Sequence, residues 1–287
     1  MSASSAASAA PKREFGFDIA DHRAISKIVY DEVGILLPEG KSQLVYGRVA
    51  KRVRALGMSS VADYVALIRN DGEERGRMID ALTTNHTSFF RESHHFDDFA
   101  EHRWPALADR LAKGGRVRLW SSACSTGEEP YTWLMAMLGT DRAAANRLLK
   151  SDFKMLATDV SPSALDAARA GEYTKQIVRT VPAGMRSAWL SGHDDKQTVD
   201  RALRDMIAFR PLNLLTDWPI KQRFDAIFCR NVMIYFDEPT KERLQARLAD
   251  KLELGGMMYI GHSERMIGPA AGKFKCIGRT AYQKVSA

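Results

Sequence analysis

A chain of 287 residues, 45% hydrophobic and 27% charged, has the composition of an ordinary globular protein and the length for one large domain plus a small one. Three cysteines, Cys124, Cys229 and Cys276, form no C-x-x-C pair, which argues against a disulfide framework and a structural zinc site, and no membrane span stands out. A formal net charge of +7 suits an acidic protein partner, nucleic acid or a membrane surface without choosing among them.

Residues 1–13 open on Ser and Ala, with neither the basic start nor the apolar centre of a secretory signal, so a disordered tail and a cytoplasmic location are expected. Over 14–83 the pattern predicts four helices. Asp18 or Asp21 caps the first, which carries Ile25, Ile28, Val29 and Val33 and stops at Gly34. The second covers about Lys41 to Leu56, and Gly57 ends it. Ser59 or Ser60 caps the third, with Val61, Tyr64, Val65 and Ile68 on its apolar face. The fourth runs from about Glu73 to Leu82. Together they make a small all-α domain. The second helix carries Lys41, Arg48, Lys51, Arg52 and Arg54 with no acid between Lys41 and Leu56. Such a face is either solvated or a docking surface for an acidic partner.

Residues 84–92 follow as a linker within T-T-N-H-T-S-F-F-R-E. Asn85, Thr87 and Arg91 can bond a ligand, and Phe89 and Phe90 can anchor the segment, so it is expected to lie over a cofactor. His86, His94 and His95 have no Cys or carboxylate at metal-ligand spacing.

The stretch R-V-R-L-W-S-S-A-C-S-T-G-E-E-P-Y, Arg116 to Tyr131, predicts a strand, a tight loop and a helix. In an open α/β sheet, Ser121 to Glu129 then floors a cofactor site. The loop lacks the G-x-G-x-x-G of dinucleotide folds, and Glu128 and Glu129 would repel a pyrophosphate and favour a ligand with positive charge. S-adenosylmethionine, with its ammonium and sulfonium, fits that requirement.

A second strand, Phe153 to Thr158, ends in Asp159, an acid placed to accept bonds from ribose hydroxyls. Ser161 and Pro162 start a helix through Ala170, closed by Gly171. About 172–210 the alternation is interrupted by a helix from Pro182 to Leu190, a turn at Gly192 to Asp195 and a β-prone Met206 to Phe209, together expected as an inserted helical and β-hairpin subdomain. The sheet resumes with Phe224 to Cys229, apolar as a strand buried on both faces must be. R-N-V-M-I-Y-F-D, a helix from Pro239 to Leu252, a strand from Met257 to Gly261 and two β-prone pieces near 274–277 and 280–285 finish the domain. The class is α/β, a doubly wound sheet preceded by an all-α domain.

In order along the chain, T-T-N-H-T-S-F-F-R-E, A-C-S-T-G-E-E-P-Y, A-T-D-V-S, P-L-N-L-L and F-D-A-I-F-C-R-N-V-M-I-Y-F-D, followed by G-H-S-E, resemble the CheR-type chemotaxis receptor methyltransferases. The resemblance implies a Rossmann-like S-adenosylmethionine-dependent methyltransferase sheet with an inserted β-subdomain over 93–287. It also implies methyl transfer to glutamates in the cytoplasmic helical domain of chemoreceptors, leaving glutamyl methyl esters and S-adenosylhomocysteine, without a metal, nucleic acid or membrane insertion.

Carried over residue by residue, it implies that Asn85, Thr87 and Arg91 reach the cofactor from the linker. Glu129 holds the methionine portion, Asp159 the ribose, Asn213 and Leu214 the adenine, and Asn231 and Val232 line the amino-acid side. Arg91 and Tyr235 stand near the transferred methyl, Tyr235 fitting equally a packed aromatic. Family members that hold a receptor's C-terminal peptide tether carry a glycine-rich loop in the subdomain. Here S-G-H-D-D-K-Q-T has one glycine, so direct docking on receptor helices, through Arg48, Lys51, Arg52 and Arg54, is expected instead. The alternatives are a nucleic-acid methyltransferase and a signalling protein that binds S-adenosylmethionine without turnover. Against the first, R-N-V-M-I-Y stands where a D-P-P-Y amine-binding motif would, and no Pro-Cys nucleophile precedes it.

Overall fold

The computed structural model describes residues 13–286. The expected tail therefore lies outside the described residues except at Arg13, which is tied down: its guanidinium donates to the Phe17 carbonyl at 2.5 Å and lies 5.1 Å from the centre of the Tyr46 ring. Two compact units divide after Thr83.

The first unit holds α1 (Ile19–Val33), α2 (Ser42–Ala55), α3 (Val61–Asn70) and α4 (Gly72–Leu82). Asp18 and Asp21 close a reciprocal capping box on α1, and Gly34 ends it at φ +70°. Ser60 caps α3 and Asp71 caps α4. Ile25, Val45, Val53, Val61, Tyr64, Ile68 and Met78 are fully buried and form the core.

Three of the four expected docking cations have partners inside this unit, two of them away from the open surface. Arg52 grips the buried Glu74 carboxylate in a two-pronged pair, at 2.9 and 2.7 Å, and the Tyr64 hydroxyl donates to the same carboxylate at 2.8 Å. Burial pushes the Glu74 carboxyl up, but Arg52, Tyr64 and Arg77 outweigh it and hold it below the usual range. Arg48 donates to the carbonyls of Ala81, Leu82 and Thr83, where the end of α4 leaves acceptors unused and the helix dipole favours a cation. Arg54 pairs with Glu14 but stays 57% exposed, and Lys51 is exposed.

The second unit begins with α5 (His94–Asp98) and α6 (Trp104–Ala112), followed by β1 (Arg116–Ser121), α7 (Glu128–Leu138), α8 (Arg142–Leu149), β2 (Asp152–Asp159) and α9 (Pro162–Ala170). Then come β3 (Glu172–Thr174), α10 (Ala183–Trp189), β4 (Leu190–Ser191), β5 (Lys196–Val199), α11 (Arg201–Asp205), β6 (Ile207–Pro211) and β7 (Phe224–Cys229). Last are α12 (Glu238–Asp250), β8 (Leu252–Ile260), β9 (Phe274–Gly278) and β10 (Ala281–Lys284).

Seven strands form one sheet in the order β6-β2-β1-β7-β8-β10-β9. The first five are mutually parallel, and β10 and β9 close the sheet antiparallel. The chain winds outward from β1 through β2 to β6, then returns to lay β7 on the other side of β1. The crevice outside the carboxyl ends of β1 and β7 is therefore the switch point where such sheets bind ligands. β7 is buried along nearly its whole length, and Phe228 stacks on Trp133 with ring centres 3.9 Å apart.

A separate three-stranded antiparallel sheet, β3-β5-β4, fills the expected insertion. Its extent differs from expectation. The stretch read as its last β-prone piece is β6, which pairs with β2 from Met155↔Ile207 to Asp159↔Pro211 as the edge of the large sheet. An exposed edge strand buries only alternate side chains, so composition alone does not say which sheet takes it.

Candidate active site

The loop after β1 is pinned across the ends of three strands. The Ser122 N–H donates to the Phe228 carbonyl of β7 at 2.8 Å, and the Cys124 N–H to the Thr158 carbonyl of β2 at 2.9 Å. Gly127, at φ +97°, enters α7 where a Cβ would stand 2.9 Å from the Ala168 Cβ and 3.0 Å from the Tyr173 hydroxyl, so no other residue fits. Ser125 is left-handed at φ +49°. Its N–H donates to Asp159 Oδ2 at 2.8 Å, while Asp159 Oδ1 accepts from the Ser161 N–H at 3.0 Å. The Ser125 hydroxyl is buried with no hydrogen-bond partner, an orphan of the kind a bound polar ligand satisfies.

The two acids that open α7 part company. Glu128 is 3% exposed and takes the Thr126 hydroxyl at 2.6 Å, so it turns into the protein and is not a ligand group; burial pushes its carboxyl up. Glu129 accepts from the Ser121 hydroxyl at 2.8 Å and from Arg230 Nη1 at 3.0 Å. Burial pushes the Glu129 carboxyl up as well, against the pull of Arg230 and Ser121.

Arg230, the first residue after β7, was given no role by sequence, although it opens the R-N-V-M-I-Y motif. Its side chain is 2% exposed and lies between two carboxylates, Glu129 and Glu92, the latter at 3.4 Å. It also donates to the Arg91 carbonyl. A buried guanidinium must find several acceptors at once, and here they come from two separate parts of the chain, Arg91–Glu92 and Glu129.

Asn231 sits at φ +56°. Its N–H donates to Glu264 at 3.1 Å and its side-chain amide to Glu92 Oε1 at 3.2 Å. Glu264, from G-H-S-E, is 9% exposed and also accepts from the N–H groups of Gly261 at 2.6 Å and Ile234 at 3.3 Å. It thereby caps the turn Met233–Tyr235, which presents Val232 and Tyr235 half-buried.

Asn85 reaches the end of β2, its amide donating to the Ser161 hydroxyl at 3.4 Å. Thr87 and Arg91 are half-buried in the same segment, and the Arg91 guanidinium folds back onto the His86 carbonyl at 2.7 Å. After β6, the Leu212 N–H donates to the Asp159 carbonyl at 3.0 Å, which sets Asn213 and Leu214 beside the Asp159 turn. Asn213 holds that loop, accepting the Leu215 N–H at 2.9 Å, and Leu214 is 7% exposed.

One set of residues thus gathers around Arg230, namely Glu129, Asn231 and the Arg91 backbone. Another gathers around Asp159, namely Asn85, Asn213 and Leu214. Two carboxylates about one guanidinium leave one net negative charge, matching a ligand whose ammonium and sulfonium outweigh its single carboxylate. A third carboxylate, Asp159, and the unpaired Ser125 hydroxyl suit a ribose. The residues present fit S-adenosylmethionine.

Residues 85–283 match the family described as CheR methyltransferase, SAM binding domain, and residues 20–83 the one described as CheR methyltransferase, all-alpha domain. A probable chemotaxis protein methyltransferase of Rhizobium etli is 44% identical over 89% of this chain and 96% of its own length. Chemotaxis protein methyltransferases of Klebsiella aerogenes and Escherichia coli are 39% and 36% identical, each over 92% of this chain, and over 89% and 90% of their own lengths. The chain belongs to the CheR methyltransferase family and is an S-adenosylmethionine-dependent methyltransferase of chemotaxis.

Proposed function

We propose that the acceptors are glutamate side chains of chemoreceptor cytoplasmic domains and that the products are glutamyl methyl esters and S-adenosylhomocysteine. The observation that carries the proposal is the Arg230 junction, which ties the Glu129 carboxylate to the backbone of Arg91 and so puts a group for a cationic donor next to a cation for an anionic acceptor.

When bound, S-adenosylmethionine supplies a sulfonium-borne methyl whose bonding pair stays on sulfur as the acceptor oxygen forms the new C–O bond. Glu129 and Asn231, with Val232 beside them, hold the amino-acid end, Asp159 the ribose, and Asn213 and Leu214 the adenine. Asn85 and Thr87 close over them from the segment before α5. A glutamate with a pKa near ~4.3 is already ionised at neutral pH, so no residue has to remove a proton. Arg91 orients that carboxylate by charge-assisted bonds, and Tyr235 contributes its hydroxyl at the mouth of the site. Alignment can supply roughly 7 to 11 kcal/mol of the barrier, so placement is the main task of these side chains.

On the receptor side, Lys51 and Arg54 are the cations of α2 left at the surface for an acidic helix. Arg48 and Arg52 serve by holding α2 in place. Gly192, the one glycine of the β4–β5 turn, lies where a Cβ would meet the Lys196 carbonyl at 2.1 Å, so it serves the tight turn. That supports direct docking without a peptide tether. Among the described residues no helix is long and apolar enough to cross a membrane.

The test is to incubate the protein with methyl-labelled S-adenosylmethionine and receptor cytoplasmic fragments and then add alkali. Glutamyl esters release volatile methanol. Label that stays on the protein after alkali marks another acceptor, and no label marks binding without turnover.

A further inference from the structure

Arg91 stands between two left-handed residues, Phe90 and Glu92, each at φ +56°. Neither is glycine, and a residue with a Cβ keeps that conformation only where its surroundings hold it there. On one side the Phe90 N–H donates to the Thr132 hydroxyl at 3.2 Å, and Phe89 is buried edge-on against Tyr173, ring centres 4.9 Å apart. On the other side the hold is electrostatic. The Glu92 carboxylate accepts from the Asn231 amide at 3.2 Å, meets His262 Nδ1 at 2.7 Å and faces Arg230 at 3.4 Å. Arg230 also holds the Arg91 carbonyl directly.

Arg230 cannot follow the segment if it moves. It is the residue next to β7, its side chain is 2% exposed, and its guanidinium packs over the rings of Phe96 and Phe228, 5.1 and 5.7 Å from their centres. The sheet is the fixed point, and the backbone around Arg91 is what is being held.

We propose that Glu92 and Arg230 form a clasp that locks the backbone around Arg91, making both of them positioning residues for methyl transfer. The inference rests on Arg91 receiving the acceptor carboxylate. Released, Glu92 would relax toward the right-handed region common to residues with a Cβ, and the Arg91 side chain would leave the site with it. Burial would raise the Glu92 carboxyl, but His262, Arg230 and Asn231 overcome it and bring it down to about 2, so the clasp is charged at any pH at which an enzyme works.

The experiment uses the full chain carrying Glu92→Gln, Glu92→Asp or Arg230→Gln, each alone, and Glu92→Gln together with Arg91→Ala. Amide hydrogen exchange over 84–92 should quicken in Glu92→Gln and Arg230→Gln while the strands keep their protection. Glu92→Asp, which retains the charge, should restore part of it. In receptor methylation, Glu92→Gln should lower kcat by roughly 10- to 100-fold, the scale of a misplaced reacting group, with S-adenosylhomocysteine affinity by calorimetry falling far less. On the Arg91→Ala background it should lower kcat no further, because the clasp acts through Arg91.

Unchanged exchange over 84–92, Asp behaving like Gln, or a further tenfold loss on the Arg91→Ala background would each overturn the clasp. If the unaltered protein forms no receptor ester, the acceptor assignment fails instead, and the exchange result decides the clasp by itself.

Discussion

In the function proposed above, Arg91 is where holding a cofactor and moving a methyl group can be told apart. If it orients the acceptor, Arg91→Ala should lower kcat on receptor fragments by about 100-fold and weaken S-adenosylmethionine binding far less. Equal losses in the two would return it to a cofactor contact. Glu92 adds a dependence on pH. Its folded pKa, about 2, is depressed below the ordinary 4.5, so the stability it contributes is complete above the unfolded value and is lost as pH falls from there toward 2. Glu128, Glu129 and Glu264 are raised by burial and act in the opposite sense, so the contrast to measure is urea unfolding of the unaltered chain against Glu92→Gln. The advantage of the unaltered chain should shrink on acidification from pH 5 toward pH 3. Glu129 could be found by sequence because an acid at the start of a helix after a strand is a local pattern. Arg230 and Glu92 could not, since 138 positions separate them and no local pattern pairs one with the other.

At the scale of elements, the loop between β1 and α7 depends on Gly127. Gly127→Ala meets both a left-handed φ of +97° and a Cβ contact at 2.9 Å with Ala168, so it should destabilise the chain by about 2 kcal/mol or more and weaken donor binding. Thermal unfolding with and without S-adenosylhomocysteine reads both effects. α2 shows how a helix pattern can mislead. A run of basic residues reads as a surface, yet Arg52 is half-buried against Glu74, which is 2% exposed. Arg52→Ala should therefore destabilise by about 3 kcal/mol, by removing the two-pronged cation from a buried carboxylate, and chemical unfolding should detect it. The helices were legible because their caps are local: Asp18, Ser60, Ser161 and Gly171 all serve where their sequence contexts put them. β6 was misplaced because pairing partners of a short edge strand lie some 50 positions away, beyond any local signal.

For the whole molecule, a net charge of +7 bears on association more than on fold. With Arg48 and Arg52 occupied inside their unit, charge reversal at Lys51 and Arg54 is the informative change. It should raise the receptor concentration needed for half-maximal methylation with little effect on kcat, and the difference should fade as salt shortens screening to below ~8 Å. No change at low salt would leave α2 as a solvated surface. The sequence by itself determined the helix caps, the apolar strands, the acid-bearing loop after β1 and the order of motifs that marks the family, because each is written within a few neighbouring residues. Only the tertiary structure decided which charges face the site and which are locked away. That depends on burial and on partners supplied by distant strands: Glu128 turned to Thr126 while Glu129 turned to Ser121 and Arg230, and Arg230 joined Glu129, Glu92 and Arg91.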